Sequence, residues 1–198
     1  MHRIIIDTDI GDDVDDALAL AYALKSPELK VEGVTTVLGE VDIKAQLALK
    51  ILKVAGFENV PVAVGEKSGL CGEKCRKPVN QAGVLEKGDK YETSGNAQDL
   101  IKDLVNRHPG EVVIATIGPL TNIGMLIRDE SRTAAKIKRI VLMGGAIKEK
   151  TAEYNITCDP EAARIVFNSG IPVTMVGLDV TMRCAMSEEH IDRIARSK

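Results

Sequence analysis

Short runs of β-branched and aliphatic residues alternate along this chain with longer stretches in which Ala, Leu and Ile recur at helical spacing. Residues 3–7 (RIIID) read as a buried strand, because a brief β-branched run ends abruptly in polar residues. Residues 15–24 carry Ala and Leu at helical spacing, with acidic residues in the first turn where they favour the helix dipole. A second strand is predicted over 31–37, and a helix over 43–55 stopped by Gly56. A third short strand covers 60–64. Residues 65–93 show no sustained period and are rich in Gly and Lys, so they read as a long surface excursion, a length that often carries function.

Beyond the excursion the alternation resumes. Helices are predicted over 96–106, 122–128, 159–168 and 187–195, and strands over 111–117, 137–143 and 172–176. The 159–168 helix has Asp159 as N-cap, Pro160 at its first position and Gly170 just past its end. Ser187 caps the last helix, with Glu188 and Glu189 behind it. Repeated βα units imply an α/β fold: a doubly wound, mainly parallel, Rossmann-like sheet flanked by helices. No linker or repeat interrupts residues 1–198, which read as a single domain.

Composition sharpens this picture in two ways. Aromatics make up only 3% of the 198 residues and Trp is absent, so the core must be built from Ile, Val, Leu, Ala and Met. The net charge of −3, with Lys and Arg spread along the chain, gives no electrostatic reason to expect nucleic acid as a partner. No run of about 18 apolar residues suggests a membrane span, and residues 1–9 (MHRIIIDTD) lack the pattern expected of a signal peptide. The four cysteines (71, 75, 158 and 184) lack the pairing of a zinc site and read as structural or incidental, with a reducing cytoplasm as the simplest location. His2, His108 and His190 have no motif around them, and Met143 and Met175 read as core.

The candidate chemistry sits at the end of the first strand. The segment DTDIGDDVDD, residues 7–16, places six carboxylates within ten residues, at what should be the ligand-binding edge of a parallel sheet. Crowded carboxylates would retain protons unless a cation relieves them. Oxygen donors without His or Cys favour calcium, magnesium or manganese over zinc.

The stretch DTDIGDDVDDALAL resembles the aspartate motif that opens nucleoside hydrolases of the inosine/uridine-preferring type. TTVLG (35–39), IGPLTNIG (117–124) and the long segment from Val141 to Thr181, containing AEYNITCDPEAARIVF, are similar to that family in the same order. The resemblance implies calcium-dependent (Ca2+) hydrolysis of the N-glycosidic bond of a purine or pyrimidine ribonucleoside, by a homo-oligomer, dimer or tetramer. It implies Asp9 as both calcium ligand and general base, and Asp16 as a second calcium ligand. Thr121 would offer a backbone carbonyl to the metal, while Asp15, Glu153 and Asn155 would hold the ribose hydroxyls, with Asp7 in support. Read alone, Thr121 is also a helix cap and Asn155 a turn stabiliser.

The chain departs from the family pattern in three places. Ile10 replaces the commoner Pro and two extra residues precede Asp15, which leaves Asp12 and Asp13 as alternative ligands. Glu40 stands where many members have Asn. The chain also ends soon after GLDVT, whereas family members continue, supplying a further calcium-ligating aspartate and often a histidine that protonates the leaving base. The resemblance therefore covers the N-terminal part of the family. The alternative is a nucleoside-binding remnant or one half of a split enzyme. A phosphatase of the haloacid dehalogenase type also carries D-x-D after a strand, but GPLTN and the 152–167 segment do not fit it.

Overall fold

A computed structural model describes residues 1–72, 75, 78–148 and 150–196; residues 73–74 and 76–77 of the predicted excursion lie outside the described residues. Six parallel strands form one sheet in the order β3-β2-β1-β4-β5-β6: β1 His2–Thr8, β2 Leu29–Thr36, β3 Val62–Val64, β4 Val112–Thr116, β5 Arg139–Met143 and β6 Val173–Val176. This is the doubly wound order, in which the chain moves outward from β1 on one side, then returns and moves outward from β4 on the other.

The alternation of side chains along β1 explains why both faces are covered. Ile4 and Ile6 point into a core shared with α1 (Asp15–Lys25) and α2 (Val41–Ala55), through Leu20, Leu24, Ala45, Ala48 and Leu52. Ile5 points the opposite way, into a core built with α3 (Ala97–Arg107), α4 (Thr121–Asp129) and α7 (Pro160–Phe167), through Ile101, Ile123, Leu126, Ala162 and Val166. Such strands read as continuous apolar runs because neither face meets water. Two glycines permit close approach between layers. A Cβ on Gly33 would lie 2.9 Å from Leu104 of α3, and one on Gly124 would lie 2.8 Å from Ala162, so α4 and α7 pack nearly backbone to backbone.

Every predicted strand is present, and the predicted helices fall where expected with ends moved by a few residues. The additional elements are short: α5 (Ser131–Ala134), α6 (Tyr154–Cys158), α8 (Leu178–Thr181) and a 3-10 turn at Asn80–Val84. None is long enough to show a helical period. The last helix, α9 (Glu188–Arg196), buries none of its residues, and Ser187 caps it by accepting from His190 N–H at 3.3 Å. No helix among the described residues is long and apolar enough to cross a membrane.

The excursion is closely tied to the sheet. Leu38 and Gly39 N–H donate to the carbonyls of Glu66 and Lys67 at 2.7 and 2.8 Å. Lys50 of α2 donates to Val84 O and to Asp89, and Gln46 exchanges two hydrogen bonds with the Tyr91 backbone. Cys75 forms a disulfide with Cys158, 83 residues away. The four cysteines, expected to be structural or incidental, thus divide into two kinds. One pair staples the excursion to the end of α6, while Cys71 and Cys184 remain exposed thiols.

Candidate active site

In a doubly wound sheet the crevice opens where successive connections leave in opposite directions, here between β1 and β4. A cleft of about 650 Å³ lies there. Its floor comes from the segments that leave the C-terminal ends of β1, β4 and β5, represented by Asp9, Ile117 and Met143. Five carboxylates of the first loop line it, those of Asp9, Asp12, Asp13, Asp15 and Asp16. Glu153 and Asn155 face them from α6, and Thr181, Met182 and Cys184 close one side.

The acidic loop is fixed from below by Asp7, which is fully buried. Its Oδ1 accepts from Thr35 Oγ1 at 2.6 Å and from Asn122 Nδ2 at 2.7 Å. Burial raises its pKa to about 7, against the lowering effect of those hydrogen bonds. Thr8 turns the loop by accepting from Ile10 N–H at 3.0 Å while its hydroxyl donates to Asp16 Oδ1. Asp16 is half-exposed to solvent yet crowded by protein atoms, and its pKa is pushed up to about 8, first by desolvation and then by the charge of Asp9. The buried ammonium of Lys44, which donates to Val37 O at 3.3 Å, opposes that rise.

Glu153 and Asn155 are held tightly. Glu153 is the N-cap of α6, and its carboxylate accepts from the backbone N–H groups of Gly145, Asn155 and Ile156 at 2.8–3.0 Å. A carboxylate with three fixed donors keeps its orientation and retains capacity for one further partner. Asn155 donates from Nδ2 to Ile117 O at 2.9 Å and Met143 O at 3.1 Å, bridging the ends of β4 and β5. The turn-stabilising reading of Asn155 therefore holds alongside its place in the cleft.

The structure brings Asp9, Asp15, Asp16, Glu153 and Asn155 together around one cleft, but not Thr121. Five residues beyond the end of β4 the chain has already entered α4, so Thr121 is fully buried and its hydroxyl donates to Asp159 Oδ2 at 2.7 Å. The residue of that segment lining the cleft is Ile117. Glu40 is exposed, precedes α2 and does not line the cleft. Met143, expected in the core, is half-buried and lines the cleft. Asn122 went unassigned from sequence. It is fully buried, donates to Asp7 and to Thr36 O at 3.0 Å, and accepts from Glu66 N–H at 3.0 Å. Its place beside Thr121 in GPLTN gave no side-chain pattern to mark it.

Among the described residues, no three His, Cys, Asp or Glu side chains meet closely enough to form a metal-ligand group by themselves. Among the residues lining the cleft, carboxylates predominate as oxygen donors. The pKa values of Asp7 and Asp16 are raised chiefly by burial, with the charge of Asp9 adding to both. An all-oxygen set of this type matches a hard divalent cation, which accepts carbonyl and water ligands readily.

Known proteins resemble this chain over nearly its whole length. Uridine nucleosidase 1 of Arabidopsis thaliana is 36% identical over 211 residues, covering 100% of this chain and 62% of that protein. Pyrimidine-specific ribonucleoside hydrolase RihA of Shewanella sp. (strain MR-7) is 39% identical over 203 residues, covering 96% of this chain and 63% of the relative. The solved plant nucleoside hydrolase PpNRh1 superposes with a TM-score of 0.89 at 33% identity, covering 100% of this chain and 66% of that one. The chain thus spans just under two thirds of the length of these relatives. Residues 4–198 match the family described as inosine-uridine preferring nucleoside hydrolase, and the chain belongs to that family.

Proposed function

We propose that this chain carries the cation-binding and ribose-binding part of a ribonucleoside hydrolase that cleaves the N-glycosidic bond to give ribose and free base. The observation that carries the reading is the convergence of the first-loop carboxylates, Glu153 and Asn155 on one cleft at the switch point of the sheet. The relatives' names, a uridine nucleosidase and a pyrimidine-specific ribonucleoside hydrolase, point to the same substrate class.

Asp9 and Asp16 are the carboxylate ligands in this reading, with the carbonyl of Ile117 in the position expected of Thr121. Calcium, when bound there, supplies positive charge that offsets the carboxylates and favours ionisation of a nearby water. Asp9, half-buried on the cleft floor, takes the proton of the attacking water as general base. Asp15 is exposed at the start of α1 and holds a ribose hydroxyl from one side. Glu153 and Asn155, both locked by backbone partners, hold the sugar from the other, so that its anomeric carbon faces the water. The leaving base then lies toward Thr181, Met182 and Cys184.

Ribose release from uridine and inosine by wild-type and Asp9→Ala chains tests this assignment. Loss of the base lowers turnover by about 10²–10⁴-fold with the fold intact. Normal turnover in the variant would rule out Asp9 as the base.

A further inference from the structure

The first loop carries two residues more than the commoner family motif, and the structure shows what holds them. Gly11 has φ +130, and a Cβ built on it would lie 2.5 Å from Val79 Cγ1, so the excursion sits directly on the loop's glycine. From there the 3-10 turn makes three polar contacts in succession. Gln81 N–H donates to Gly11 O at 2.8 Å, Gln81 Nε2 donates to Asp13 O at 2.6 Å, and Asn80 Nδ2 donates to Asp12 Oδ1 at 2.6 Å. Two neighbouring residues thus grip three consecutive loop residues, Gly11 through the Gln81 backbone N–H and Asp12 and Asp13 through side-chain amides.

We propose that Asn80 and Gln81 are positioning residues that latch the expanded acidic loop onto the excursion and thereby set the cation affinity of the site. This rests on the cation-binding reading given above. Crowded carboxylates repel one another when ionised, and a flexible loop must be ordered at the moment a cation binds. The latch removes part of that ordering cost beforehand. It also turns Asp12 Oδ1 toward Asn80, which makes Asp12 an anchor of the loop rather than a replacement for Asp9 or Asp16.

The test is calorimetric titration of Ca2+ into the chelator-stripped chain, with thermal melts confirming that each variant is folded. Wild type, Asn80→Ala, Asp12→Ala and the double variant form a cycle, and Gly83→Ala in the same turn is the control, since a Cβ there meets nothing within 4 Å. Asn80→Ala weakens calcium binding about fivefold to tenfold, about the net worth of one hydrogen bond. In the Asp12→Ala background the same change has no further effect, while Gly83→Ala binds as wild type. An Asn80→Ala chain that binds calcium as tightly as wild type would overturn the latch alone. So would equal losses in both backgrounds, which would mean that Asn80 acts through something other than Asp12. A folded wild-type chain that binds no calcium overturns the cation reading and the latch with it.

Discussion

Asn122 at the start of α4 donates from Nδ2 to Oδ1 of Asp7 at the end of β1, a 2.7 Å hydrogen bond across 115 residues of sequence. Both side chains are fully buried, and the same amide also reaches Thr36 O and the Glu66 N–H. One side chain thus joins β1, β2, α4 and the start of the excursion beneath the acidic loop.

Asn122→Ala would remove one donor from the buried Asp7 carboxyl and take the Asn122 partner from the Thr36 carbonyl and the Glu66 N–H. The expected cost is about 2–4 kcal/mol in urea unfolding, because buried polar groups that lose partners retain their desolvation penalty. Thr35→Val removes one donor to the same carboxyl and should cost about 1–2 kcal/mol. Equal and small effects for both would mean that Asp7 is not anchored in this way.

The raised carboxyls predict a pH dependence of defined sign. Asp7 and Asp16 rise from an ordinary value of 3.8 to about 7 and about 8, so the folded chain binds protons that the unfolded chain releases. The stability they contribute is complete below about pH 4 and is lost as pH rises through 7–8. In chelator, Asp7→Asn should therefore gain on wild type as pH increases from 4 to 8, since an amide keeps the acceptor oxygen without the titration. Added calcium should recover stability on the alkaline side. A constant difference between Asp7→Asn and wild type across that range would contradict the assignment.

Much of the fold could be read in the sequence, because parallel strands buried on both faces leave apolar runs such as RIII, and amphipathic helices leave a period. The acidic loop was equally visible, since six carboxylates follow one strand. Three features left no such trace. The Asn122–Asp7 and Asn80–Asp12 bonds join residues 115 and 68 apart, a proximity that only the folded sheet creates. The Cys75–Cys158 bridge likewise spans 83 residues between segments with no shared pattern.

That bridge should contribute to stability chiefly by restricting the unfolded chain. For a loop of this length the expected loss on reduction, or in Cys75→Ser, is about 4–5 kcal/mol. Mass spectrometry of peptides from unreduced chain should recover residues 75 and 158 linked, with Cys71 and Cys184 open to alkylation. Full alkylation of all four cysteines without reductant, together with an unchanged melting point in reductant, would contradict it.

The α4–α7 contact gives a test of packing independent of the site. Gly124→Ala gains about 1 kcal/mol in helix propensity. It also forces a methyl to 2.8 Å from Ala162 Cα, and moving two packed helices apart costs about 1–3 kcal/mol. Net destabilisation is expected by thermal melting, and a raised melting point would show that the helices are not in close contact.

The most direct test of the central claim is ribose release from uridine by the purified chain as free calcium is varied. The account predicts release that rises to saturation with calcium, stops in excess chelator and resumes when calcium is restored. Release that continues at the same rate in chelator, or that calcium does not alter in folded protein, would contradict it.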